Sequence, residues 1–313
     1  MRALAAVSLL ALASCRSDRA SQGTASADGA AAATTPAAPL AASFAARPYA
    51  LHVPPGWDRG KPAPLVLFFH GYGAPGGEEH AHGLGVDTLA DEAGFVLVTP
   101  DGTPDSHGRR FWNATDACCD FDGKRPDDVG YVRWILDDVA SKMPIDPARV
   151  YVAGHSNGGF FSHRLACELA PRVAAAVSLA GAQWSDPTRC HAGEPVSVLE
   201  IHGDADEVVH YGGGRIFDLP ARTYPGALDT TADWARLDGC GQRPEPVGAR
   251  FDFDADVPGP DTTRLSYPSC RAGASVELWT EAGGGHLPHP TPAGLQAVWA
   301  WMLAHAKAGA PPR

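Results

Sequence analysis

Val150-Tyr151-Val152-Ala153-Gly154-His155-Ser156-Asn157-Gly158-Gly159 is the stretch that decides how the rest of this chain is read. Val150–Ala153 is apolar without alternation, as a strand buried on both faces should be. A helical pattern follows at about 157–170. Between them stands Gly-x-Ser-x-Gly, in the strand-to-helix setting in which that motif makes a sharp turn and exposes the serine hydroxyl. Gly154 and Gly158 flank the turn, where side chains would collide. The helix N-terminus beneath Ser156 favours negative charge.

Working outward, the same alternation of elements recurs. Leu65–Phe69, Phe95–Val98, Ala174–Leu179, Val196–Ile201 and Val276–Trp279 are further short apolar runs. Helical patterns are expected at 84–93, 128–142, 228–237 and 291–306, with Asp127 or Asp128 capping the second. Strand and helix in alternation predict an α/β fold, a mostly parallel sheet flanked by helices with right-handed crossovers.

A nucleophilic serine needs a base, an acid and oxyanion donors. Leu65–Phe69 runs into His70-Gly71-Tyr72-Gly73, so the backbone N–H groups of Tyr72 and Asn157 are the expected oxyanion donors. Val196–Ile201 leads into His202-Gly203-Asp204-Ala205-Asp206, where Asp206 is the expected acid and Asp204 a turn-capping residue. Glu281-Ala282-Gly283-Gly284-Gly285-His286 precedes the last helix, and its permissive loop makes His286 the expected base. His289, between Pro288 and Pro290, is the weaker choice. The chain order Ser156, Asp206, His286 is that of the α/β-hydrolase fold.

Composition agrees. The 313 residues include 44% hydrophobic and 19% charged, with 35 Gly and 28 Pro, which suits a loop-rich globular enzyme. The net charge of −11 with no basic stripe argues against nucleic acid as a partner. Residues 1–15 read as a signal segment: Arg2, then an apolar run too short to span a bilayer, ending in Leu12-Ala13-Ser14-Cys15. That tetrapeptide resembles the lipobox of bacterial lipoproteins, which implies lipidation of Cys15. Arg16 after it, rather than Asp, points away from retention at the inner membrane. Lipid anchoring to the cell envelope, at the outer membrane, or release outside the cell is therefore expected, with the membrane touched only through Cys15. Residues 16–45, rich in Ala, Ser, Thr and Pro, are expected to be a flexible tether. Residues 46–306 form the catalytic domain and 307–313 a tail. Cys118, Cys119, Cys167, Cys190, Cys240 and Cys270 remain, enough for up to three disulfides whose pairing stays open.

These segments together resemble the family of extracellular polyhydroxybutyrate depolymerases and feruloyl or acetyl-xylan esterases (carbohydrate esterase family 1 type), across roughly 48–305. The resemblance is carried by Pro64-Leu65-Val66-Leu67 to His70-Gly71, Ala117-Cys118-Cys119 with Asp127-Asp128-Val129-Gly130, and Arg149-Val150-Tyr151-Val152 through Gly159. Arg164-Leu165-Ala166-Cys167-Glu168, His202-Gly203 to Tyr211-Gly212-Gly213 and Gly283-Gly284-Gly285-His286 extend it. It implies the triad on Ser156, Asp206 and His286 and hydrolysis of esters in polymers or polymer-linked groups. Family members often carry Trp-Pro shortly after the catalytic histidine, where this chain has Leu287-Pro288. Trp112 either lines the acyl pocket in its place or packs in the core, and His155 is expected on the substrate side.

The expected function is thus an exported serine carboxylic-ester hydrolase working through an acyl-enzyme, without cofactor or metal. The rivals are an acyltransferase, thioesterase or peptidase on the same scaffold, and a non-catalytic polymer-binding lipoprotein. Asp252-Phe253-Asp254-Ala255-Asp256 lacks the glycine and glutamate of a calcium loop, and His80-Ala81-His82 reads as a surface pair. Substrate specificity and oligomeric state are not legible.

Overall fold

The structure, a computed structural model, describes residues 38–307. The expected signal segment with Cys15, and most of the expected tether, lie outside these residues. In chain order the elements are α1 (Ala38–Ala45), β1 (Tyr49–His52), β2 (Ala63–Phe69), α2 (Gly77–Gly83), α3 (Val86–Ala93), β3 (Val96–Pro100), β4 (Thr103–Pro104) and β5 (Arg110–Phe111). Then come α4 (Asp128–Lys142), β6 (Ile145–His155), α5 (Asn157–Glu168), β7 (Ala175–Leu179), β8 (Ser197–Gly203), β9 (Gly213–Arg215) and β10 (Thr223–Pro225). The last are α6 (Ala227–Leu237), β11 (Glu245–Pro246), β12 (Thr262–Tyr267), β13 (Val276–Glu281) and α7 (Pro292–Ala304).

One sheet has the order β1-β3-β2-β6-β7-β8-β13-β12-β11. All neighbours from β3 to β13 are parallel, and β1, β12 and β11 pair antiparallel at the two edges. The central strands are the six apolar runs. Successive residues point to opposite faces, so a run without alternation covers both. Leu65, Leu67, Phe69, Val150, Val152 and Val198 enter the core on one side; Val66, Phe68, Tyr151, Ala153, Leu199 and Ile201 enter the core on the other. The carboxyl ends of β2, β6, β8 and β13 all open onto the same edge of the sheet, where ligands bind in open α/β folds.

Caps define the helices. Asp127 accepts a hydrogen bond from Gly130 N–H at 2.8 Å and starts α4, and Thr291 does the same for Gly294 at 2.9 Å ahead of α7. The helix expected at 84–93 is α3, which starts only after Gly85, whose φ of 74° no helix accommodates, and α2, just before it, was not expected. The edge strands β1, β11 and β12 carry no continuous apolar run and escaped the reading. The expected tether is shortened: α1 lies within it, because Phe44 is buried against Tyr131, with ring centroids 5.9 Å apart. The expected tail also loses a residue, since Lys307 donates its N–H to Ala148 at 2.9 Å and pairs with Glu194.

The open question of the cysteines is settled by proximity: Cys118–Cys119, Cys167–Cys190 and Cys240–Cys270 are bonded. The second ties the C-terminal end of α5 to the loop after β7 across a sequence separation of 23. Closing a loop of that length removes chain entropy from the unfolded state, about 3 kcal/mol. Replacing Cys167 and Cys190 together by alanine is expected to lower urea-unfolding stability by about that amount, under oxidising conditions. An unchanged midpoint would show that the link restrains nothing.

Candidate active site

Ser156 sits at the turn between β6 and α5 with φ 55° and ψ −119°, backbone angles that a non-glycine residue holds only under constraint. The constraint is visible. Ser156 N–H donates to Leu179 O at 2.8 Å, and Phe160 N–H to Ser156 O at 3.0 Å. A Cβ at Gly158 would overlap the Phe69 carbonyl, so α5 reaches β2 only because that residue is glycine.

The structure brings Ser156, His286 and Asp206 together. The Ser156 hydroxyl lies 2.9 Å from His286 Nε2, and His286 Nδ1 lies 2.7 Å from Asp206 Oδ2. Asp206 Oδ1 accepts the N–H groups of Val208 and Val209 at 2.8 and 2.9 Å. Burial works against its charge, but hydrogen bonds from His202 and His286 outweigh burial and hold the carboxyl below the ordinary carboxylate range. An ionised Asp206 therefore accepts Nδ1–H and leaves Nε2 free to receive the serine proton. The alternatives separate clearly. Asp204 accepts Gly283 N–H at 2.6 Å and so anchors the loop that carries His286. His289 pairs with Asp256 at 2.5 Å on the surface.

The two expected oxyanion donors lie on segments next to Ser156, the loop after β2 and the first turn of α5. A Cβ at Gly71 would come within 3.5 Å of Ser156 Cβ, so the loop after β2 lies against the nucleophile. His70 is buried and accepts Gly102 N–H at Nε2, 2.9 Å away; its Nδ1–H then donates to Gly71 O at 2.8 Å. Desolvation holds its pKa at about 4, in keeping with that neutral tautomer. In a trans peptide the carbonyl and the next N–H point opposite ways. Tying Gly71 O into the protein therefore turns Tyr72 N–H away from it. Asn157 N–H is in the first turn of α5, where helical N–H groups lack intrahelical partners.

Two expectations are corrected. Trp112 does not line a pocket: it is fully buried, stacked on Phe161 at 5.1 Å, and its indole N–H donates to His70 O at 3.1 Å. Its backbone N–H and C=O hold the Asn157 side chain at 2.7 and 3.0 Å. His155 is not on the substrate side either. It is buried, stacked on His80, and its Nε2–H donates to the backbone carbonyl of His286 at 2.7 Å. It holds the base in place from behind. Apolar surface near the site comes instead from the side chain of Tyr72 and from Phe121 and Phe217, which the sequence reading did not name. Tyr72 packs edge-on against Phe121 at 5.2 Å, Phe121 packs on Phe217 at 5.5 Å, and Phe217 is 65% exposed. Among the described residues no three His, Cys, Asp or Glu side chains are placed so that they could hold a metal ion. In the acidic loop, Asp261 accepts the N–H groups of Phe253 and Asp254, and Asp254 those of Asp256 and His289.

Residues 47–211 match the family model described as Esterase PHB depolymerase, a span that contains Ser156 and Asp206 and ends before His286. Feruloyl esterase B of Piromyces equi is 30% identical over 239 residues, which cover 74% of this chain and 41% of that protein. The chain thus spans less than half the length of that relative. A putative esterase of Nocardia uniformis subsp. tsuyamanensis, NocK, is 30% identical over 271 residues, covering 81% of this chain and 74% of that protein. Among solved structures, the acetyl xylan esterase from Aspergillus awamori aligns over 82% of this chain and 93% of its own, with TM-score 0.57 at 17% identity. That likeness is one of fold, and the fold is the α/β-hydrolase type.

Two predictions come from the site's buried groups. Removing the His155 donor leaves the His286 carbonyl unpaired, a loss of roughly 1–3 kcal/mol. His155→Leu is expected to lower kcat by about 10- to 100-fold, with a smaller change in KM; a fall under about twofold would mean that the loop is held by other contacts. Glu281, under the same loop, is fully buried, and its carboxyl oxygens have no hydrogen-bond partner among the described residues. Burial, then the charges of Asp254 and Asp261, push it from 4.5 up to about 8. A carboxyl raised in the fold stabilises fully below its unfolded pKa, and the contribution is lost as pH rises through the folded value. Glu281→Gln is neutral throughout, so its Tm should gain on the parent's between about pH 5 and pH 9. Parallel Tm curves would refute the buried acid.

Proposed function

Because the chain belongs to the Esterase PHB depolymerase family of carboxylic ester hydrolases, we propose that it is a serine esterase that works through an acyl-enzyme. The observation that supports this reading is the line Asp206–His286–Ser156, at 2.7 and 2.9 Å, with the loop after β2 that carries Tyr72 packed against Ser156.

His286 Nε2 takes the hydroxyl proton as Ser156 Oγ attacks the ester carbonyl. The carbonyl oxygen becomes an oxyanion and accepts hydrogen bonds from Tyr72 N–H and Asn157 N–H. The imidazolium, paired with Asp206, returns the proton to the departing alkoxide as the carbon–oxygen bond breaks. Water then enters, His286 takes its proton, and the hydroxide attacks the acyl carbon. Ser156 leaves with that proton, and the carboxylic acid is released.

The proposed substrates are esters in a polyester or acyl groups linked to a plant polymer. The names of the relatives support this class, as does the Tyr72–Phe121–Phe217 wall, which offers a partly exposed aromatic surface beside the oxyanion loop. The proposed setting is outside the cytoplasm, with Cys15 as the lipid attachment point. The paired cysteines support an oxidising compartment. Among the described residues no helix is long and apolar enough to cross a membrane.

Initial rates on p-nitrophenyl acetate, methyl ferulate, amorphous polyhydroxybutyrate and an acetanilide amide test the reading. Turnover of esters but not of the amide is expected, with a loss in kcat of at least about a thousandfold in Ser156→Ala. Undiminished turnover in that variant would remove Ser156 from the mechanism.

A further inference from the structure

Behind Asp206 the interior holds a second line of ionisable groups. Glu200 and His202, two residues apart on β8, point to the same side of the sheet and are both buried. Glu200 Oε1 lies 3.0 Å from His202 Nδ1, and Glu200 Oε2 lies 2.9 Å from His163 Nε2 on α5. His163 Nδ1 lies 3.0 Å from the indole nitrogen of Trp234 on α6. His202 Nε2 lies 2.7 Å from Val209 O and 3.5 Å from Asp206 Oδ2, the oxygen that also faces His286.

The geometry places the protons. An indole N–H only donates, so His163 Nδ1 accepts, and His163 is neutral with its proton on Nε2, directed at Glu200. Both oxygens of Glu200 are thus acceptors. Both nitrogens of His202 face oxygens, a carboxylate on one side and a carbonyl with a carboxylate on the other. An imidazole that donates from both nitrogens is an imidazolium. Burial opposes that charge, but the hydrogen bonds that His202 donates to Asp206 and Glu200 outweigh it and raise His202 to about 10. Glu200 is held low by His163 and His202 in spite of its burial.

We infer that His202, fixed as an imidazolium by Glu200, is a positioning residue of the triad: it holds Asp206 ionised and oriented, and its charge tempers how readily His286 takes a proton. This rests on the triad reading above. The other titratable groups facing this set are neutral or compensated. His155 and His80, on β6 and α2, are held low by burial, Glu281 on β13 is held as the acid, and Tyr211 meets His202 edge-on at 5.8 Å. The positive charge of His202, paired with Glu200, therefore sits on the far side of Asp206 from the base.

The test is the pH profile of kcat/KM, in Glu200→Gln and His202→Gln, on p-nitrophenyl acetate. Losing the fixed positive charge makes protonation of His286 easier. In His202→Gln, where the negative charge of Glu200 stays, the acid limb is therefore expected to move up by about one pH unit, and in Glu200→Gln, where that negative charge goes as well, by less. In both, kcat is expected to fall by about tenfold or more with KM changed by less than about twofold. Glu200→Asp keeps the charge and is expected to bring the limb back toward the parent position. General damage to the fold lowers kcat and Tm but leaves the limb where it is. Unmoved limbs in both glutamine variants, with activity still dependent on Ser156, would overturn the inference; activity that survives Ser156→Ala would overturn the triad reading instead. On the unaltered protein, ¹⁵N spectra of the histidine rings at about pH 8 should show one imidazolium persisting. A spectrum with every ring neutral at that pH also overturns it.

Discussion

The close approach of backbone to backbone at the strand ends is the constraint from which this site follows. At Gly158 the first turn of α5 lies against the carbonyl of Phe69, and at Gly203 the end of β8 lies against the backbone of Gly284. Neither contact leaves room for a Cβ. The first brings the oxyanion loop beside Ser156; the second brings the His286 loop beside Asp206. Four segments far apart in the chain are thus drawn to one edge of the sheet by packing that side chains would prevent. The strain at Ser156, of the order of 1–3 kcal/mol, is borne by the hydrogen bonds that clamp both sides of the turn.

Around that frame, buried polar groups set the charges. Asp206 is surrounded by four donors or cations, two backbone N–H groups and two imidazoles, and stays ionised in spite of burial. On the neighbouring strand β13, opposite Gly203, Glu281 has no donor among the described residues and remains the neutral acid. Two carboxyls under the same loop thus differ in charge because only one has been given hydrogen bonds. The histidines divide by the same logic. His70 and His155 use single N–H groups to hold carbonyls at the oxyanion loop and at the base, whereas His202 faces acceptors on both sides and is charged.

The central sheet was legible because a strand buried on both faces leaves a mark in sequence, an apolar run of four to six residues closed by a turn. Edge strands leave none. β12 reads Thr-Thr-Arg-Leu-Ser-Tyr and is placed by pairing with β13, not by its own composition. The helix α1, in a stretch that composition assigned to the tether, is placed by Phe44 packing on Tyr131. Ser156, Asp206 and His286, the proposed nucleophile, acid and base, could be singled out because each sits in a loop whose glycines and neighbours have a local purpose. His155 and Trp112 were misread for a single reason: nearness to the nucleophile in the chain does not reveal which way a side chain points.

By itself, then, the sequence determined the order of strands and helices, the turn at Ser156, and the identity of the three groups now seen in line, since these depend on local conformation and on residue type. Which cysteines pair, which carboxyl is charged, and which histidines hold the machinery rather than touch substrate were decided only by the tertiary structure. Each of those outcomes depends on a distance between residues remote in the chain, and on whether a buried polar atom finds a partner there.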